Sequence, residues 1–157
     1  MRSKNKLCRA AALLTALGWM ALIFGFSAQT GEESGGLSGL ISRPVTAVIE
    51  ALFGAADYEA LYLQVDGAVR MAAHFTEYAI LGALLQAAVA AWGGRGVWLS
   101  WLAGVAYAVL DEWHQSYSPG RACDWMDMEI DALGVLCGVM TAVWLMKRWR
   151  SKHDDDQ

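Results

Sequence analysis

Val97-Trp98-Leu99-Ser100-Trp101-Leu102-Ala103-Gly104-Val105-Ala106-Tyr107-Ala108-Val109-Leu110 runs without a break into Asp111-Glu112-Trp113-His114-Gln115-Ser116-Tyr117-Ser118-Pro119-Gly120-Arg121-Ala122-Cys123. The first part reads as a membrane helix. The second places two acids, a histidine, a turn and an arginine at its end. Ionisable groups beside hydrocarbon are expensive, and they persist where they are paired or used. This junction therefore carries both the fold class and most of the functional information.

The rest of the composition agrees with a membrane protein. Of the 157 residues, 56% are hydrophobic and 18% are charged, with eight Trp; a soluble domain of this size would carry about 25% charged residues. The length predicts one domain. Cys8, Cys123 and Cys137 show neither a CxxC pair nor zinc spacing, and an odd count argues against a disulfide framework. The net charge of −4 says little, because the charges are segregated along the chain.

The predicted fold is all-α: an integral membrane bundle of four transmembrane helices with a long extracytoplasmic first loop. The spans are placed at about 10–28, 71–92, 97–115 and 128–146, followed by a cytoplasmic tail over 147–157. A cleaved signal peptide is the competing reading of the first run. It is disfavoured, because no small-x-small site follows cleanly and three further spans come later. Several charge-free cores run to only about 15 residues, short of the roughly 20 needed to cross hydrocarbon, so the flanking polar residues must supply the missing length from inside a bundle.

Basic residues orient the spans. Arg2, Lys4, Lys6, Arg9, Arg95, Lys147, Arg148, Arg150 and Lys152, nine of the twelve, fall on one side, and Arg43, Arg70 and Arg121 on the other. Both termini are predicted cytoplasmic, in the plasma membrane. The loops 27–69 and 112–126 are predicted extracytoplasmic. Within the first, 45–52 and 58–65 look weakly helical.

Helical spacing gathers the polar residues. Arg70, His74 and Glu77 share one stripe, and Asp111, His114 and Gln115 repeat its spacing. Asp127 and Asp131 lie one turn apart, on the face continued by Gly134 and Gly138, a small-xxx-small pattern that brings helices close. Ser118-Pro119-Gly120-Arg121 fits a type II turn that would aim Arg121 back at the helix ends. Ser27 and Gln29 end the first span at the same level. Every span thus delivers polar groups to one extracytoplasmic cup. Blander readings stand beside this: His74 as an interhelical hydrogen-bonder, and Arg121 as a strut paired with Asp111, Glu112 or Asp127.

Ser27 and Gln29 after an aromatic span end, Arg70-x-x-x-His74-Phe75-x-Glu77-Tyr78, Asp111-Glu112-x-His114-Gln115, then Pro119-Gly120-Arg121, Asp127 and Asp131 together resemble the VanZ-like family, over about Leu7 to Trp144. Met71 departs from the pattern, since the family often has lysine there. The resemblance implies a small four-span membrane protein linked in name to teicoplanin (glycopeptide) resistance. It also implies kinship with membrane enzymes thought to act on lipid head groups. Resistance itself is not something the sequence establishes.

The leading expectation is an enzyme acting on a phosphate-containing lipid or lipid-linked cell-envelope precursor at the outer leaflet. Arg70, Arg121, Gln115, Ser27 and Gln29 would bind the head group. His74, Glu77, Asp111, Glu112, His114, Asp127 and Asp131 would carry the proton chemistry or hold a divalent metal, for which Asp111-x-x-His114 and His74-x-x-Glu77 have workable spacing. The alternatives are a non-catalytic binder of lipid or cell-wall precursor and, behind it, a proton-coupled transporter. Nucleic acid is not expected as a partner, and the sequence does not fix the oligomeric state.

Overall fold

The computed structural model describes residues 2–54, 57–94 and 96–155. Arg95, expected in the turn between the second and third spans, and Asp156 of the acidic tail lie outside the described residues, as do the side chains of Arg2, Lys4, Asp154 and Asp155. The described residues form five helices and no strand: α1 (Arg2–Ser27), α2 (Gly31–Phe53), α3 (Tyr58–Ala91), α4 (Val97–Gln115) and α5 (Trp125–Asp155).

The segments expected as spans fall inside α1, α3, α4 and α5, but the expected four-span count does not emerge. Three helical segments are long and apolar enough to cross a membrane: Lys6–Ser27, Gly31–Phe53 and Trp125–Lys152. α3 and α4 fall short because they carry the charged residues of the cup. α2 qualifies although its sequence was placed in the long loop, with only 45–52 expected to be weakly helical.

That expected long loop is a helical hairpin. Thr30 starts α2 with a capping box: its Oγ1 accepts from the Glu33 amide at 3.2 Å, and its own amide donates to Glu33 Oε2 at 2.9 Å, satisfying two amides that a helix start leaves without partners. Asp57 caps α3 through the Ala60 amide at 3.1 Å. With 34 residues, α3 is about 51 Å long. Its first turns pack on α2 and its remainder runs through the bundle. The α2 face toward α3 is small and polar: Ser42 Oγ donates to Asp66 Oδ1 at 2.7 Å, and Gly39 lies against Tyr62. The opposite face exposes Leu40, Val48 and Leu52.

α3 and α5 form the most extensive helix pair, and glycine is the reason they can. A Cβ on Gly138 would run into the Ala79 carbonyl, and one on Gly134 would meet the Phe75 carbonyl at 2.6 Å. From the other side, Gly82 of α3 lies against the Val135 backbone. Such close backbone approach is how helices gain packing energy where lipid removes the hydrophobic drive. Ile23, Tyr78, Leu81, Ala108, Val135 and Val139 form the core. Outside it, large apolar side chains on every helix stay exposed, among them Leu14, Leu63, Leu99, Leu110 and Leu133. That is the inverse of a water-soluble surface and suits a lipid environment.

Candidate functional site: a polar cup at one end of the bundle

The cup is built where α1 ends, α2 begins, α4 ends and α5 begins. Its anchor is Asp111, which is buried. Asp111 Oδ2 accepts from Ser27 Oγ at 2.6 Å, Tyr78 OH at 3.0 Å and Gln115 Nε2 at 3.3 Å. Three donors from α1, α3 and α4 on one oxygen offset much of the cost of burying a carboxylate and tie the ends of α1 and α4 to the middle of α3.

The next residue, Glu112, is also buried. Its Oε1 accepts from the Asp124 amide at 2.7 Å, fixing the entry to α5. On α5, fully buried Asp131 reaches α3: His74 Nδ1 lies 3.3 Å from Asp131 Oδ1. In the neutral tautomer whose Nδ1–H donates to Asp131 Oδ1, Nε2 is the imidazole's free nitrogen. Asp111 Oδ1, Glu112 Oε2 and Asp131 Oδ2 are buried without a hydrogen-bond partner among the described residues.

The turn expected at 118–121 is present. Gly120 has φ +77°, where only glycine is comfortable, and the Arg121 amide donates to the Ser118 carbonyl at 3.1 Å. The Gly31 amide in turn donates to the Pro119 carbonyl at 2.9 Å. The start of α2 is thereby docked on the turn, and α2 becomes one wall of the cup.

The cup holds a cavity of about 230 Å³. Ser27, Gln29, Arg70, His74, Glu77, Gln115 and Arg121 line it, all anticipated from sequence. Ser34 and Ser38 of α2 line it too, and sequence reasoning missed them because their segment was read as loop. Phe26, Leu37, Ile41 and Val69 give it an apolar side. Tyr78 was part of the quoted motif, but its place as a donor to Asp111 was not foreseen.

Other anticipated residues sit apart from the cavity wall. Asp111, Glu112 and Asp131 lie behind it. Asp127 is half-buried near the mouth of α5, close enough to act electrostatically on Arg121. His114 turns aside and stacks on Phe24 with ring centroids 4.0 Å apart; it does not line the cavity. Among the described residues, no three His, Cys, Asp or Glu side chains are grouped so as to hold a metal ion, so the two ligand-like spacings in the sequence do not converge.

Arg121 is not the strut that the bland reading required. Among the described residues neither Arg121 nor Arg70 makes an ion pair within 4.0 Å; the one such pair is His74–Asp131. Burial pushes the Arg121 guanidinium below its ordinary pKa, and the neighbouring Arg70 acts in the same direction, against the pull of Glu112, Asp127 and Asp111. Two cations thus face one small cavity without a paired carboxylate. The arrangement can hold an anion between two planar forks, with an oriented imidazole beside it.

No curated protein matches the chain, and no solved structure matches it. The model of the VanZ/LLP1 family matches residues 12–147, nearly the whole chain and every helix of the cup, and the protein belongs to that family.

Proposed function

We propose that this VanZ/LLP1 protein binds the phosphate head group of a membrane lipid or lipid-linked envelope precursor in the cup, on the extracytoplasmic face, and catalyses hydrolysis or transfer there. The observation that carries the reading is the pair Arg70 and Arg121, both lining the cavity and both without a carboxylate partner among the described residues. The cavity's size supports a head group. Pockets for drug-sized ligands run about 300–1,000 Å³, so about 230 Å³ suits a phosphate and a small substituent rather than an entire glycopeptide. The apolar side formed by Phe26, Leu37 and Ile41 gives the start of a lipid chain a place to leave.

In this reading Arg70 and Arg121 hold the phosphate oxygens. His74, oriented by Asp131 through Nδ1, takes a proton at Nε2 from the attacking water or acceptor hydroxyl. The attacking oxygen bonds to phosphorus as the bond to the departing oxygen breaks, and Glu77, facing the same cavity in its protonated form, donates its proton to that departing oxygen. Asp111, held by three donors, positions Tyr78, Ser27 and Gln115. A resident metal has no part in this scheme. The family's link to teicoplanin resistance is compatible with a lipid-linked cell-wall precursor as the substrate.

Release of a labelled head group from phosphate-bearing lipids by the purified protein tests the proposal. Turnover lost in His74→Gln with lipid binding retained supports an enzyme. Binding without turnover in the wild type leaves the non-catalytic binder. Transport is less well supported, because Leu81, Val135 and Val139 fill the core below the cup.

A further inference from the structure

We infer that the end of the bundle opposite the cup carries a second site, in which Lys147 and Arg150 at the rim of an apolar cavity hold the phosphate of an anionic membrane lipid. The cavity, about 300 Å³, lies where α3 ends, α4 begins and α5 nears its end. Ala90, Val97, Val143 and Met146 line its apolar part. Val143, Met146, Lys147 and Arg150 form one stripe of α5 at helical spacing, so the two cations stand directly above the apolar wall.

The polar groups nearby are already engaged, which sets these two cations apart. Gln86 lines the cavity, and its Oε1 accepts from Ser100 Oγ at 2.7 Å, with both residues buried. Arg9 Nε donates to the Ala91 carbonyl at 3.0 Å, and its guanidinium lies 5.5 Å from the Trp92 ring centre. Arg148 lies 5.3 Å over the Trp144 ring. Lys147 and Arg150 have no carboxylate within 4.0 Å among the described residues and face the cavity.

Trp92, Trp98 and Trp144 are exposed around this end, as aromatic residues are at the head-group level of a bilayer. Basic pockets between helices at that level recognise anionic lipid head groups, each Lys or Arg contributing about a fivefold gain in affinity. The apolar wall beneath the cations favours a lipid, whose chain it can cover, over a free phosphate ion. This site is independent of the chemistry proposed for the cup.

The test uses the full chain carrying Arg70→Gln/Arg121→Gln, so that lipid at the cup does not contribute, in mild detergent with phosphatidylglycerol, phosphatidylcholine or inorganic phosphate, bound lipid being counted by native mass spectrometry. Phosphatidylglycerol is expected to be retained in preference to phosphatidylcholine, and inorganic phosphate in excess not to displace it. Arg150→Gln should weaken retention about fivefold and Lys147→Gln/Arg150→Gln about thirtyfold. Equal retention of the two lipids, or unchanged retention in both variants, overturns the inference. So does displacement by phosphate. Phosphatidylglycerol binding that appears only after deletion of residues 153–157 would make the acidic tail the occupant instead.

Discussion

His74 on α3 and Asp131 on α5 meet at 3.3 Å, and the contact depends on glycines deeper in the same seam. Gly134 and Gly138 lie one and two turns below Asp131 on the face that meets Phe75 and Ala79 of α3. The helices can come together there because neither residue has a side chain. The pair that would do the chemistry is therefore set by backbone packing rather than by the length of its own side chains.

Gly138→Ala should cost about 1–3 kcal/mol, the usual range for overpacking a close-packed interior, because the new methyl meets the Ala79 carbonyl, which cannot rotate away. Gly18→Ala is the control: nothing lies within 4 Å of a Cβ there, and in a helix that change is neutral or stabilising by up to about 1 kcal/mol. Thermal unfolding of both variants in one detergent checks the contrast. Equal effects would remove the close seam as the organising feature.

Asp131→Asn keeps the side chain's shape but lets the amide stabilise either imidazole tautomer. Head-group turnover should fall by about 10²–10⁴, the usual worth of positioned acid–base catalysis, with lipid binding changed less than about threefold. Parallel loss of binding and turnover would assign Asp131 to binding or folding.

Tyr78→Phe removes one of the three donors to Asp111 Oδ2 without opening a cavity. A lost hydrogen bond to a buried charged group costs about 1–3 kcal/mol, which denaturation of the purified variant would read. A variant as stable as the wild type would show that Asp111 does not depend on that donor.

The Gly31–Pro119 hydrogen bond puts Glu32 and Ser116 at the same end of the molecule. Reporter fusions at both positions should therefore give the same answer, and the basic residues predict that answer to be outside, with a C-terminal fusion inside. A C-terminus found outside would move the cup to the cytoplasmic face.

The cup was legible because its residues obey helical spacing. Arg70, His74 and Glu77 had to share a stripe wherever α3 was placed, and they line one cavity. The Ser118–Arg121 turn was legible from Pro and Gly at the positions its backbone demands. His114 obeyed the same spacing as Asp111 and Gln115, yet it left the cup for the ring of Phe24, since spacing fixes a face only to within the angle that a neighbouring aromatic can claim.

Apart from its weakly helical 45–52, α2 was read as loop, for identifiable reasons. Gly35, Gly36, Gly39 and Pro44 lower its intrinsic helix propensity, and its polar start hid the signal at Thr30-x-x-Glu33, which is a capping box followed by apolar residues. Tertiary contacts such as Ser42–Asp66 then favour the helix, and no local rule contains them. The span count failed for a related reason. Hydropathy penalises α3 and α4 for the very residues that the bundle shelters.

The most direct test of the central claim, that Arg70 and Arg121 hold a lipid phosphate, is native mass spectrometry of the protein carrying Lys147→Gln/Arg150→Gln, so that lipid at the opposite end does not contribute. In that background the account predicts that a phosphate-bearing lipid remains bound. It should be weakened by Arg121→Lys, which keeps the charge but loses the two-pronged fork, and lost in Arg70→Gln/Arg121→Gln, with thermal unfolding near that of the parent. Lipid retained undiminished in Arg70→Gln/Arg121→Gln would contradict it.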